Sequence, residues 1–376
     1  MQNRKKKVLF LATVYRHLAN FHLHDMKMLQ QRGIEVHAAA SPDLGGRECL
    51  SSLGVICWDI PFARSPYSLK NIRAFFRLRA LMMTLHFNLI HVHTPVAAFL
   101  GRILAIITGQ GKTLYTAHGF HFYQGAPLLN WLVYYSMEKL LSRYTDALIV
   151  INDEDWGIAK SRFNAKRLYH VPGVGVDLTR FEVPATSKEE MRHLLNIPLD
   201  AFVLVSVGEL NINKNHEAAI RSIAHLGDEA ARVYYVICGQ GKREGHLRQL
   251  AASLGLSSRV LLLGHRTDIP CILYCADVFV MPSLREGLPV SVMEAMAAKL
   301  PVVASNIRGN RDLILERAGG LLVAPKDIEG MAQALRTFMR DEELRLMMGE
   351  FNSGYVKDFS LDNVLPRMDQ IYAEII

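Results

Sequence analysis

Short continuous apolar runs alternate with amphipathic stretches along the whole 376-residue chain. In the first half the runs Val8–Thr13, Glu35–Ala39, Val55–Asp59, Leu89–His93, Thr113–Thr116, Ala147–Ile151 and Leu168–Val171 read as strands. In the second half the corresponding runs are Phe202–Val207, Val233–Cys238, Val260–Leu263, Val278–Met281, Pro301–Ala304 and Leu321–Val323. Continuous rather than alternating apolar runs are what a parallel sheet needs when helices cover both its faces. Helical segments such as His216–Leu226, Glu244–Leu254 and Ile328–Arg340 lie between the strands. The pattern is two successive βα series, hence two doubly wound α/β domains. The series pauses over residues 173–198, which hold Pro184, Thr186, Ser187 and Pro198 and no strand pattern, so the linker is expected there. A ligand is expected between the domains, at the carboxyl ends of the strands.

Composition narrows this further. Half the residues are hydrophobic and 21% are charged, enough for sizeable cores and incompatible with a disordered or low-complexity chain. The longest strongly apolar stretch, Val96–Ile107, carries Arg102 and falls short of the about 20 residues that cross a bilayer. Arg4-Lys5-Lys6-Lys7 before Val8–Thr13 looks like the start of a signal peptide. Tyr15-Arg16-His17 follows where small residues would be needed, so a buried first strand and a cytoplasmic location are expected. Residues 1–180 carry 22 Lys and Arg against 11 Asp and Glu, while residues 181–376 carry 21 against 25. No acidic residue lies between Asp59 and Glu138, although Arg64, Lys70, Arg73, Arg77, Arg79, Arg102 and Lys112 do. The basic half is suited to an anionic partner: nucleic acid, phospholipid or a phosphorylated small molecule. The cysteines Cys49, Cys57, Cys238, Cys271 and Cys275 form no C-x-x-C pair, and reduced, mostly buried thiols are expected rather than a metal site.

The segment from Ser283 to Glu294 carries the most chemistry. A strand, Val278–Met281, runs into a turn with Glu286-Gly287, and a helix is expected to begin near Pro289, which suits a first helical position. Backbone N–H groups at Leu288 and Val290 would then point out of a helix start, where the positive end of the dipole favours phosphate. Carboxylates cannot attract a phosphate, so Glu286 and Glu294 are expected to accept hydrogen bonds from hydroxyls, as sugars flanking a diphosphate would supply. The other reading is a helix cap for Glu286 and a solvated helix face for Glu294.

The E-x7-E pair, its E-G-L-P-x-S-x-M-E-A-M setting and Pro301-Val302-Val303-Ala304-Ser305 closely resemble the retaining glycosyltransferases of family 4. Gly208-Glu209-Leu210 with Lys214-Asn215-His216 resembles that family's G-R-L…K phosphate segment. Gly239-Gln240-Gly241 with Leu247 resembles its G-x-G turn, and Leu263-Gly264-His265-Arg266 its nucleotide-base loop. Ile90-His91-Val92-His93-Thr94-Pro95 and Thr116-Ala117-His118-Gly119 match segments of bacterial capsule and exopolysaccharide members.

The resemblance implies a GT-B fold of two Rossmann-like doubly wound domains facing a cleft. It places an acceptor-side domain at 1–180, a linker at 181–200, a nucleotide-sugar domain at 201–357 and a C-terminal helix, 358–376, packing back on the first domain. It implies a nucleotide-sugar donor, UDP-linked, as substrate, with no cofactor and no metal, and a lipid-linked glycan acceptor at the inner face of the cytoplasmic membrane. Glu294 would accept from the donor ribose, while Glu286, Gly287 and the N–H groups of Leu288 and Val290 would hold the transferred sugar and diphosphate. Lys214 would neutralise the diphosphate, His118 would reach the sugar, and Asn213, Gly241 and Arg266 would line the donor. The physics agrees for Lys214, because a fixed cation stabilises the charge that develops on a departing diphosphate. Two departures stand out: Glu209 replaces the family's arginine, either with Arg266 or Asn211 and Asn213 in compensation or with Glu209 itself meeting a donor hydroxyl, and the glycine-rich loop after the first strand is absent.

His118, after a strand and before Gly119, is expected to be functional. His91 and His93 flank Val92 at a strand end, and His22 and His24 read as surface or capping residues of an early helix. Gly239-Gln240-Gly241 is no dinucleotide fingerprint, since Glu244 stands where a third glycine would be. Residues 65–87 combine Lys70, Arg73, Arg77 and Arg79 with Leu69, Ile72, Phe75, Phe76, Leu78, Leu81, Met82 and Met83. This reads either as a basic amphipathic helix for an anionic membrane or as an ordinary helix with a solvated basic face. Two competing functions are a hydrolysing UDP-sugar epimerase, against which the E-x7-E setting speaks, and a nucleic-acid-binding protein using the basic half. For the latter, the helical spacing of Phe75-Phe76 suits packing better than base stacking.

Overall fold

The computed structural model describes residues 5–182 and 185–376; Arg4 and Pro184, used above, lie outside the described residues. The chain divides into one unit of Met1–Val174 with Asp362–Ile376 and a second unit of Gly175–Leu361.

In the first unit, β1 (Lys7–Val14), β2 (Glu35–Ser41), β3 (Ile56–Asp59), β4 (Leu89–Val92), β5 (Lys112–Ala117), β6 (Ala147–Val150) and β7 (Arg167–His170) form one parallel sheet. Its order is β3-β2-β1-β4-β5-β6-β7. The core lies on both faces. Leu9, Leu11, Ile90 and Val92 pack against Leu78, Leu100 and Leu104 on one side. Val8, Phe10, Leu89 and Leu114 meet Val364, Met368, Ile371 and Tyr372 on the other. Those last four belong to the terminal helix Leu361–Ile375.

In the second unit, β8 (Phe202–Val207), β9 (Val233–Cys238), β10 (Val260–Gly264), β11 (Val278–Met281), β12 (Val302–Ser305) and β13 (Gly320–Val323) give the order β10-β9-β8-β11-β12-β13. In each sheet the strand order reverses beside the first strand, between β1 and β4 and between β8 and β11. That reversal opens a crevice at the carboxyl ends of the strands. Both sheets therefore reproduce the doubly wound pattern read from the apolar runs.

The segment expected as a linker is structured. Lys188–Leu194 is a helix with a reciprocal capping box between Ser187 and Glu190. Its Arg192 is buried and donates to Asp277 Oδ2 at 2.9 Å and to the carbonyls of Cys275, Leu199 and Ala201. Proline and polar residues suggested a gap, but the S-x-x-E cap starts a short helix; the division between the units falls at Gly175. The basic helix spans Lys70–Thr84, shorter at both ends than 65–87. It buries Ala74, Leu78, Leu81 and Met82, while Lys70, Arg73, Arg77 and Arg79 are exposed together with Ile72, Phe76 and Met83. Among the described residues, no helix is long and apolar enough to cross a membrane.

Candidate active site

The loops that follow β8 and β11 meet at the switch point of the second unit. Leu284 N–H donates to the Asn213 carbonyl at 2.8 Å, Asn213 Nδ2 to the Arg285 carbonyl at 2.8 Å and Asn215 Nδ2 to the Pro282 carbonyl at 3.1 Å. Asn213 thus holds the loop together. Lys214, fixed by its own N–H on Asn211 Oδ1, places Nζ 2.8 Å from Glu286 Oε1, with both side chains mostly buried. A Cβ on Gly208 would stand 3.0 Å from Lys214 Cε, so the bare glycine lets the lysine stem lie across the turn. A Cβ on Gly239 would fall 1.8 Å from the Gly208 carbonyl oxygen, and one on Gly241 would fall 2.3 Å from that of Leu210. This G-x-G is therefore a close approach between the β8 and β9 loops.

The helix Val290–Ala297 starts from Pro289 as its N-cap, one residue later than the sequence suggested. Pro289 is extended there (ψ 116°), so it caps the helix instead of forming its first residue. The first N–H groups of this helix have no acceptor within it and carry the positive end of its dipole. Glu286 and Gly287 lie in the turn before it, and the Glu286 carbonyl accepts from buried Arg308 Nε at 3.2 Å. Glu294 is no solvated face residue. Its side chain is only 14% exposed, and Arg180 Nη1 stands 3.4 Å from Oε1. Burial raises its pKa above the ordinary carboxyl range, and the nearby Arg180 works against that rise.

Arg180 and Arg308 were not found from the sequence. Arg180 lies 114 residues from Glu294, and only the chain's path brings them together. Its one local signal is Asp177, which caps the short 3-10 helix Leu178–Phe181 through the Thr179 N–H. Arg266, offered as compensation for Glu209, is clamped by Asp268 through two bonds of 2.8 and 2.5 Å. Glu209 is exposed at the end of β8.

In the first unit, histidines gather at the equivalent switch point. His17 and His22 follow β1, His93 follows β4 and His118 follows β5. His22 is buried, against the surface or capping role expected of it, because its Nδ1 pairs with buried Asp25 Oδ2 at 3.0 Å. His118 turns Nε2 to His22 Nε2 at 3.2 Å and to His93 Nδ1 at 3.3 Å. His91 stands apart, with Nε2 on Thr116 Oγ1 at 2.8 Å and Nδ1 on Tyr372 Oη at 2.9 Å. Thr94, next to His93, holds a positive φ of 57°, a strained value for a β-branched residue. Its hydroxyl secures it by accepting from the Thr13 N–H at 2.9 Å and by pairing with the Thr13 hydroxyl at 2.8 Å. Burial lowers the pKa of His17 to about 3, and it takes His91, His93 and His118 well below the ordinary value.

Two doubly wound units, one with a lysine–carboxylate pair before a helix start at its switch point, are the architecture of an α/β enzyme that binds its ligand at the strand ends. The Glycosyl transferases group 1 family model matches residues 187–353, and the Glycosyl transferase 4-like model matches residues 7–152. The chain is 37% identical to EpsD of Bacillus subtilis (strain 168), named as a glycosyltransferase, over 98% of this chain and 96% of that one. It is 30% identical to the UDP-Gal:alpha-D-GlcNAc-diphosphoundecaprenol alpha-1,3-galactosyltransferase of Escherichia coli, over 82% and 81% of the two chains. The solved structure of Anabaena Alr3699/HepE in complex with UDP-glucose matches with a TM-score of 0.82 at 18% identity, over 98% of this chain and 99% of that one. The chain therefore belongs to the family 4 glycosyltransferases, with the GT-B fold. It is an enzyme that transfers a sugar, which favours transfer over the epimerase and nucleic-acid readings.

Proposed function

We propose that this glycosyltransferase moves a sugar, with retention, from a UDP-linked donor to a lipid-linked glycan during assembly of an exopolysaccharide or capsule. The observation that carries the reading is the Lys214–Glu286 pair at 2.8 Å beside the start of the helix Val290–Ala297. As the nucleoside diphosphate departs, negative charge grows on it, and Lys214 with the N–H groups at Leu288 and Val290 stabilises that charge. Donor binding draws Lys214 from Glu286 to the diphosphate and frees Glu286 to accept from hydroxyls of the transferred sugar. Glu294, oriented by Arg180, accepts from the ribose. These groups do the work of a divalent ion at the diphosphate, so leaving out magnesium should not change turnover.

Support for the acceptor comes from the Escherichia coli relative, whose name specifies a diphosphoundecaprenol substrate. The helix Lys70–Thr84 exposes three apolar side chains, Ile72, Phe76 and Met83, among its cations. Such a surface suits the inner leaflet of the cytoplasmic membrane, where a lipid-linked acceptor is held.

The test is a panel of nucleotide sugars incubated with the pure protein, with slow donor hydrolysis followed by nucleoside diphosphate release. Release of UDP from at least one UDP-sugar, unchanged without magnesium, is the expected result. Hydrolysis confined to donors with another base would overturn the UDP assignment, and a strict need for magnesium would overturn the role given to Lys214.

A further inference from the structure

We propose that His17, His22, His93 and His118 form a binding site for one divalent transition-metal ion, with zinc the best fit. This site lies in the first unit, and the inference does not depend on the transfer reaction proposed above.

The first argument is spacing. One ligand nitrogen from each of the four rings lies within 4.8 Å of the others. The contacts from His118 Nε2 to His22 Nε2 and to His93 Nδ1 are 3.2 and 3.3 Å. A tetrahedral zinc with nitrogens at about 2.0–2.1 Å has nitrogen–nitrogen edges of about 3.3–3.4 Å. Two of the six edges of that tetrahedron are already in place, and the remaining separations stay within 4.8 Å.

Proton bookkeeping gives the second. Asp25 accepts from His22 Nδ1, so neutral His22 carries its proton there and presents a lone pair at Nε2. Hydrogen bonding alone then allows one shared proton, on His118 Nε2, between His22 and His93. His17 Nε2 stays buried with no hydrogen-bond partner, an arrangement that costs free energy. A central cation takes lone pairs from every ring. The Asp25–His22 contact is also the carboxylate–histidine support that ligating imidazoles usually have.

Selection within the cluster is sharp. His91, its neighbour, has both nitrogens committed to Thr116 and Tyr372 and is left out. His22 and His93 are buried, whereas His17 and His118 are partly exposed and give an ion a way in. Imidazole ligands with tetrahedral spacing fit zinc rather than magnesium or calcium, which take oxygen. The proposal gives His118 Nε2 to a cation instead of a sugar hydroxyl.

The experiment uses the full chain without a polyhistidine tag, stripped with chelator, reloaded with zinc and desalted, with metal measured by mass spectrometry. One equivalent of zinc should remain, and cobalt loading should give the intense visible bands of a tetrahedral ion. Asp25→Asn, which removes no ligand, should weaken zinc binding about 10–100-fold in chelator competition. His17→Gln should weaken it at least as much, while exposed His24→Gln on the adjacent helix should match the parent. If His17→Gln does not fold, the cobalt spectrum of the parent and the Asp25→Asn affinity decide. Failure of the parent to retain zinc, an octahedral cobalt spectrum, or equal affinity in Asp25→Asn and the parent would each overturn the proposal.

Discussion

The two units use the same topological position for different chemistry. At the β8/β11 switch point the loops bring Lys214 to Glu286, next to a helix start and to Glu294 with Arg180. At the β1/β4 switch point the loops bring together four imidazoles and one carboxylate, Asp25. The first arrangement holds a cation against a carboxylate at a helix start. The second gathers four ring nitrogens within 4.8 Å of one another. The crevice is a property of the strand order, and what it binds is decided by a few residues on the loops after the strands.

Each unit also buries an arginine paired with a carboxylate, Arg102 in the first and Arg192 in the second, and these give the largest expected effects. Arg102 pairs with Glu138 at 2.7 Å, donates to the Ala98 carbonyl and lies 4.3 Å from the Tyr115 ring centroid. Arg192 pairs with Asp277 and keeps three carbonyl acceptors. Glu138→Ala and Asp277→Ala should each cost about 3–5 kcal/mol in denaturant unfolding, because a buried charge is left unpaired. The first should be the more damaging, since Arg102 has fewer acceptors to fall back on. An equal or reversed order would show that carbonyls do not share the charge.

Lys214→Ala should come next, lowering kcat about 10²–10³-fold, as expected for losing one preorganised group at the developing charge. A rise in KM with unchanged kcat would make the lysine a ground-state anchor. Replacing Arg73, Arg77 and Arg79 together with Gln should weaken binding to anionic vesicles by about 1 kcal/mol per charge. Donor hydrolysis should stay unchanged, which would keep the membrane role in the first unit and the donor role in the second. Parental binding at low salt would remove this helix from the membrane face.

Glu294→Gln should raise the donor Kd by about 1–3 kcal/mol in calorimetry, and it has a pH signature. The raised carboxyl pKa means that the folded chain holds this proton above the unfolded value of 4.5. Parental stability should therefore fall as pH rises from that value through the folded pKa. The Gln variant lacks this loss, so its urea midpoint should gain on the parent between pH 4.5 and neutrality. A constant difference would mean that Arg180 offsets the burial completely.

All thirteen strands of the two sheets correspond to apolar runs visible in the sequence, with ends moved by a residue or two. Such runs are legible because both faces of a parallel sheet are buried. Glu286 and Glu294 were singled out by the strand–turn–helix pattern and Lys214 by the family resemblance, and the structure brings Lys214 to Glu286. The helix Lys188–Leu194 was hidden because seven residues are too few to show a period, although its capping box is written in Ser187 and Glu190. Arg180 and the histidine cage were illegible for a different reason. Their partners lie far away in sequence, and only strand order makes them neighbours. His22 misled because a histidine at the start of a helix resembles a cap until Asp25 is seen beneath it.

The terminal helix Leu361–Ile375 has a consequence for the order in which the protein is made. It supplies one side of the first unit's core and the Tyr372 hydroxyl on His91, yet it is separated from the rest of that unit by residues 175–361. At about 5–20 residues per second, a ribosome takes roughly 10–40 s to bridge that gap. Throughout this interval Val8, Phe10, Leu89 and Leu114 lack their cover. The second unit can therefore be complete on the ribosome while the first, though begun earlier, still waits for Asp362–Ile376. A truncation that removes Leu361–Ile375 would damage the unit that lies on the far side of residues 175–361.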